Sequence, residues 1–160
     1  GCGVVRCAEF FGIDVTSGAT LALMGGGGAA RSTAYAWSKS GGKIKLISGR
    51  RSLDDGPWSD AIVESESYDM LINFDSEEIP ESLDEKAILL SPRYQLMEGT
   101  TEQRLQKLTT GMYDGRWMLV AQHLECWRQL WAPHRIEELP SIAMLMTKLI
   151  HAETVLASYA

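Results

Sequence analysis

The sequence lacks long hydrophobic runs, cysteine pairs and an excess of positive charge, and each shortage excludes something. No apolar stretch approaches the ~18 residues of a membrane helix, so no membrane partner is expected. Residue 1 is Gly and no charged-then-apolar leader follows it. The chain is therefore expected to be a piece of a longer, cytoplasmic protein. The three cysteines, Cys2, Cys7 and Cys126, are odd in number and form no CxxC. With three scattered histidines, His123, His134 and His151, metal-ligand spacing is absent. Buried, reduced thiols are expected, with no metal and no catalytic cysteine. Lys and Arg number 15 against 21 Asp and Glu, a net charge of −6. Nucleic-acid backbones reward basic patches, so no nucleic-acid partner is expected. From Ser52 to Glu85 there are 12 acidic residues and no Lys or Arg, read as a solvated face or, alternatively, an acidic docking surface.

What is present suits one globular domain. The chain has 160 residues, 45% apolar and 22% charged, enough to bury a core. Short apolar runs at Thr20–Met24, Lys43–Ser48, Asp69–Asn73 and Ala87–Ser91 predict four strands. Helices are expected at Val4–Phe11, Ala29–Ser40, weakly near Ser59–Ser65, Thr101–Leu108, Gly115–Trp131 and roughly Glu137–Ser158. In the long helix, Val120, Leu124, Trp127 and Trp131 form an apolar stripe, widened by Leu119, Cys126 and Leu130. In the last, Met144, Leu145, Lys148 and Leu149 are expected to pack on the sheet. Strands alternating with helices predict an α/β fold with a doubly wound, mostly parallel sheet, the Rossmann-like arrangement of NAD(P)-binding domains.

Gly25-Gly26-Gly27-Gly28-Ala29-Ala30 fits G-x-G-x-x-A between the first strand and its helix. Gly25 permits the tight turn, Gly27 leaves the backbone open to a pyrophosphate, and Ala30 allows close helix–strand packing. The N–H groups and dipole of the helix start attract an anion. A domain that binds NAD usually carries Asp or Glu at the end of its second strand. Here Ser48-Gly49-Arg50-Arg51-Ser52 follows that strand. Forked guanidinium donors suit a phosphate dianion, so NADP is the expected cofactor, with Arg50 and Arg51 on its 2′-phosphate. Asp54 and Asp55 come too late for the acid position but are placed to offset the arginines.

Three segments together resemble the shikimate dehydrogenase family. Ala22-Leu-Met-Gly-Gly-Gly-Gly-Ala-Ala-Arg31 is similar to its GAGGAAR turn. Gly115-Arg-Trp-Met-Leu-Val-Ala-Gln122 is similar to its G-x-x-M-L-V-x-Q segment, and Leu130-Trp131 to the L-W after the same helix. Gly1-Cys2-Gly3 and the helix after it resemble the G-x-G that follows the family's N-T-D motif. The likeness runs the whole length of the chain and implies that residues 1–160 are a single NADP-binding domain, the second half of a two-domain enzyme. The catalytic Asp and Lys would then lie in an N-terminal catalytic domain upstream, so no catalytic residue is expected here and the chain alone should be inactive.

The resemblance implies further roles. Arg50 matches the arginine that contacts the 2′-phosphate, with Gly49 and Arg51 in place of flanking Asn and Thr. Asn73 matches the start of N-A-T-P on the nicotinamide side, where Phe74 and Asp75 replace Ala and Thr. Gly115 and Met118 match residues beside the nicotinamide. Tyr94 and Gln122 match substrate contacts, with Ser91 in place of the Asp of D-x-x-Y. Met118 and Gln122, four apart, share a helix face. His123 is read as a surface or capping residue. The implied reaction is hydride transfer between NADPH and 3-dehydroshikimate, giving shikimate, within aromatic amino-acid biosynthesis. Two other readings stay open: a quinate dehydrogenase of the same scaffold, and a degenerate nucleotide-binding module without catalysis.

Overall fold

The computed structural model describes residues 1–75, 86–110 and 113–159. The acidic positions between 76 and 85 lie outside the described residues. The chain runs α1 (Cys2–Phe10), β1 (Thr20–Met24), α2 (Gly28–Lys39), β2 (Lys43–Ile47), β3 (Met70–Asn73), β4 (Ile88–Leu90), α3 (Thr101–Thr109), α4 (Gly115–Cys126) and α5 (Ile142–Ala157). The strands form a parallel sheet of order β2-β1-β3-β4. Single parallel bridges extend both edges, Ile62 beside Ile44 on β2 and Tyr113 beside Leu90 on β4. This is the Rossmann-like α/β sheet that alternating strands and helices predict.

Side-chain alternation assigns the sheet's two faces. Leu21, Leu23, Ile44, Met70, Ile72 and Leu90 join the main core with the helices, while Ala22 and Leu71 pack with Tyr68 on the other face. Trp37 of α2 is fully buried, and its indole N–H donates to the carbonyl of Ala19 at 3.1 Å. Gly42 lies flat against that indole; a β-carbon there would sit 2.2 Å from Nε1.

Helix α1 is wedged between α2 and α4, and Gly1, which caps it, and Gly3 make the wedge fit. A β-carbon on Gly1 would meet the Ser32 carbonyl oxygen of α2 at 2.0 Å, and one on Gly3 the Gln122 backbone nitrogen of α4 at 3.0 Å. Without side chains at these points the backbones approach closely. Val4, Val5, Cys7 and Ala8 are buried in the same interface.

The C-terminal third departs from the expected pattern. The last helix begins at Ile142, not near Glu137, because Pro140 has no N–H and disfavours helical geometry in the residue before it. Ser141 caps the helix instead, its hydroxyl accepting the Met144 N–H at 3.1 Å. Residues Pro133–Glu138 form a 3₁₀ turn. Helix α5 buries Ile142, Met146 and Ile150 and packs on α3 and α4 rather than on the sheet, leaving Met144 exposed. The apolar stripe of α4 is also only half internal. Val120 and Leu124 are buried, but a π-helical turn over Trp127–Trp131 follows, and Trp127, Leu130 and Trp131 are exposed. Of the three thiols only Cys7 is buried; Cys2, on the outer side of the first turn of α1, is exposed and Cys126 is half-buried.

A buried ionic cluster fastens α4 to α5. The Asp114 carboxylate caps α4 by accepting the Arg116 N–H at 3.0 Å and also accepts the Gln95 N–H at 3.1 Å. The Arg116 guanidinium pairs with Asp114, donates to Glu153 of α5 at 2.9 Å and donates to the Gln95 carbonyl at 3.1 Å. No buried side-chain polar atom among the described residues lacks a hydrogen-bond partner. Removing one member of a buried ion pair strands its partner's charge and costs about 3–5 kcal/mol. Arg116→Ala is therefore expected to lower unfolding free energy by about that amount, read from the urea midpoint of a denaturation curve; a loss under 1 kcal/mol would contradict the role given to the cluster.

Candidate functional site

In an open parallel sheet the crevice lies outside the carboxyl ends of the strands, where neighbouring connections depart in opposite directions. That point here is between β1 and β3, which pair in the centre of the sheet. The loops after β1, β2 and β3 meet there.

The glycine turn is shaped by its neighbours. Gly25 has φ +113°, a backbone state that L side chains rarely adopt, and a β-carbon would lie 3.3 Å from Phe74 Cβ. Gly26 is closed on its other side: a β-carbon there would fall 1.8 Å from the Ser52 carbonyl oxygen. Gly27 and Gly28 differ, with no atom within 4 Å of either β-carbon position. Gly27 caps α2 with extended backbone and no side-chain hydrogen bond. The first-turn amides of α2, running into Ala29, thus border open space. A bound diphosphate would find free N–H donors and no side chain in its way.

On the β2 side, Arg50 and Arg51 stand on an exposed loop. The Arg50 side chain is 74% exposed, with its Nε 3.7 Å from Asp75 Oδ1. Asp75 follows β3 and reaches across the front of Gly25. Its Oδ2 accepts the backbone N–H groups of Arg50 and Arg51, the latter at 3.1 Å. The acid that offsets the arginine loop is therefore Asp75, which sequence spacing did not single out. Asp54 pairs with Arg31 of α2 instead. The signal for Asp75 lies in contact rather than spacing: a β-carbon on Gly49 would be 2.7 Å from Asp75 Oδ2, so the small residue at 49 makes room for the carboxylate.

On the other side the crevice opens into a cavity of about 400 Å³ between α1, α2 and α4, lined by Gly3, Ala29, Thr33, Phe74, Met118 and Gln122 among others. Met118 is half-buried and Gln122 exposed, on one face of α4. Phe74 continues the sheet ladder, its N–H donating to the Met24 carbonyl at 3.0 Å. Asn73 ends β3, and its side-chain oxygen accepts the Asp75 N–H at 2.9 Å, which turns the chain toward the arginine loop. Gly115 starts α4, with its N–H donating to the Arg93 carbonyl at 2.9 Å. Tyr94 stands apart from the cavity. It is exposed, lies over Gly115, and has the Arg116 guanidinium 5.2 Å from its ring centroid. Exposed His123 contacts the Leu119 carbonyl oxygen through Nδ1 at 2.8 Å. Among the described residues no cluster of His, Cys, Asp and Glu suits a metal ion, and no helix is long and apolar enough to cross a membrane.

No protein-family model matches the chain, and no curated protein sequence matches it. Solved structures do. Shikimate dehydrogenase from Aquifex aeolicus superposes with a TM-score of 0.53 at 20% identity, covering 91% of this chain and 59% of that one. Shikimate dehydrogenase 1 from Peptoclostridium difficile gives a TM-score of 0.52 at 16% identity, covering 95% of this chain and 60% of that one. The chain thus shares its fold with these enzymes and spans about 60% of their length.

Cys2 borders the cavity while Cys7 faces the core one turn and a half later. Burial pushes the Cys7 thiol up to about 12. A raised thiol keeps its proton in the folded state, so its contribution to stability is complete below the ordinary thiol range and is lost as pH rises toward 12. At pH 8.5, a thiol reagent followed by mass spectrometry is expected to modify Cys2 in the native protein and Cys7 only after denaturant is added. Equal labelling of both in the native protein would contradict the packing of α1.

Proposed function

We propose that this chain is the NADP-binding domain of a shikimate dehydrogenase-like oxidoreductase, acting with a catalytic domain supplied by the rest of that protein. The observation that carries this reading is the open amide cradle at Gly27 and Gly28, which leads on one side to the arginine loop and on the other to the Met118–Gln122 cavity. A dinucleotide needs three things in line: a diphosphate site, an adenosine end and a nicotinamide end. The residues present fit that order.

Each group has a defined task in this reading. The backbone amides from Gly25 to Ala29 hold the diphosphate without charged side chains. Arg50 and Arg51 meet the 2′-phosphate with forked donors, a match that lysine does not reproduce. Phe74 and Met118 supply apolar walls against the nicotinamide, with Asn73 and Gly115 shaping the approach. Gln122 offers an amide to a substrate hydroxyl, while Tyr94, over Gly115 and outside the cavity, is a substrate contact by the family resemblance alone. NADPH held there would supply hydride chemistry toward the ketone of 3-dehydroshikimate. Proton transfer belongs to the domain outside this chain, so the chain by itself binds cofactor and does not turn over. The small-molecule substrate and the catalytic domain are its expected partners.

Isothermal calorimetry on the chain tests the reading. NADP⁺ is expected to bind, and NAD⁺ no more tightly. Arg50→Ala is expected to weaken NADP⁺ roughly tenfold, the scale of one charge-assisted contact, and to leave NAD⁺ unchanged. An equal loss for both nucleotides, or tighter binding of NAD⁺ by the parent chain, would refute the arginine assignment.

A further inference from the structure

Asp75 is a charged side chain built into the crevice, and the following inference rests on the cofactor reading above. Its side chain is only 6% exposed, beneath an arginine that is 74% exposed. Both backbone amides of the Arg50–Arg51 pair point at its Oδ2. Its own N–H is fixed by Asn73 at 2.9 Å, and Gly49 leaves the space that it occupies, with a notional β-carbon 2.7 Å from the carboxylate. Phe74 and Asp75 also press on Gly25, so the turn after β3 is held from both ends. This carboxylate belongs to the architecture of the site.

Such a placement has two consequences that separate in experiment. One is mechanical: the carboxylate ties the loop after β2 to the loop after β3 across the glycine turn. The other is electrostatic. Two guanidinium groups facing a 2′-phosphate dianion would favour it strongly over a 2′-hydroxyl. A carboxylate 3.7 Å from one of them removes part of that field. The neighbouring cation on α2, Arg31, is itself paired with Asp54 and adds little.

We propose that Asp75 is a specificity-determining residue: it positions the arginine loop while trimming its charge, so that the chain separates NADP⁺ from NAD⁺ only weakly. A neutral residue at 75 converts the same loop into a selective 2′-phosphate site. NAD⁺, which lacks the 2′-phosphate, senses the change only through the diphosphate that both nucleotides carry, so the ratio of the two affinities isolates the effect on the 2′-phosphate.

Calorimetry with NADP⁺ and NAD⁺ on the parent chain, Asp75→Asn and Asp75→Ser measures the effect. Asparagine keeps an oxygen for the two loop amides and removes the charge; serine removes the charge through a smaller side chain. Asparagine is expected to raise the NADP⁺-to-NAD⁺ affinity ratio roughly tenfold, the scale of one partly screened charge contact, and serine, too short to hold both loop amides, to raise it less. A parallel loss for both nucleotides in both variants would mean that Asp75 is only a structural tie, and an unchanged ratio would overturn its role in selectivity; either result leaves the cofactor reading standing. Failure of the parent chain to bind either nucleotide would overturn that reading, and this inference with it.

Discussion

Backbone crowding at the carboxyl end of β1 governs the site. The loop after β3 lies close against Gly25, whose φ of +113° already disfavours a side chain, and the loop after β2 presses on Gly26 at a distance that excludes a β-carbon. Two steps later, at Gly27 and Gly28, the surroundings are empty. The same four-glycine run thus performs two opposite tasks. Its first half lets protein backbone in, and its second half leaves backbone amides uncovered. The crevice exists because the convergence of three loops stops abruptly at the start of α2. Every other candidate group is placed relative to that boundary: the arginines on one side, the α4 face on the other.

The wedge of α1 shows the same device at larger scale. Gly1 and Gly3 bring α1 against α2 and α4 together, and the cavity beside Met118 and Gln122 is the space left above that junction. Binding surface and core packing are therefore coupled, since the residues that close the core below also set the spacing of the cavity walls. The buried Asp114–Arg116–Glu153 cluster anchors the far side of α4, so one end of the helix is held by charge and its middle by close backbone contact.

Much of the fold was legible in the sequence. Continuous apolar runs are unambiguous when flanked by glycine and charge, and the four strands fall within a residue of their expected limits. Helix α2 lies within a residue of its expected limits, ending just before Gly41-Gly42, and α4 starts at the expected Gly115. The glycine turn and the shared face of Met118 and Gln122 could be singled out because their spacing is local. What spacing does not reveal is contact between distant segments. Asp75 is 25 residues from the amide it binds at Arg50, and Glu153 is 37 residues from Arg116. The end of α4 was misread for a different reason: a period of 3.6 predicts a continuous buried stripe, but periodicity holds only while the helix keeps its winding.

That change of winding also sorts the indoles. A π turn accommodates one residue more than an α turn, so positions beyond Cys126 lag in rotation relative to the buried stripe of α4. Trp127 and Trp131 end up in solvent, ring to ring at 5.3 Å. Trp37, Trp58 and Trp117 remain inside. The chain consequently carries two populations of fluorophore: an outer pair open to aqueous quenchers at the end of α4, and an inner trio whose emission follows the integrity of the core.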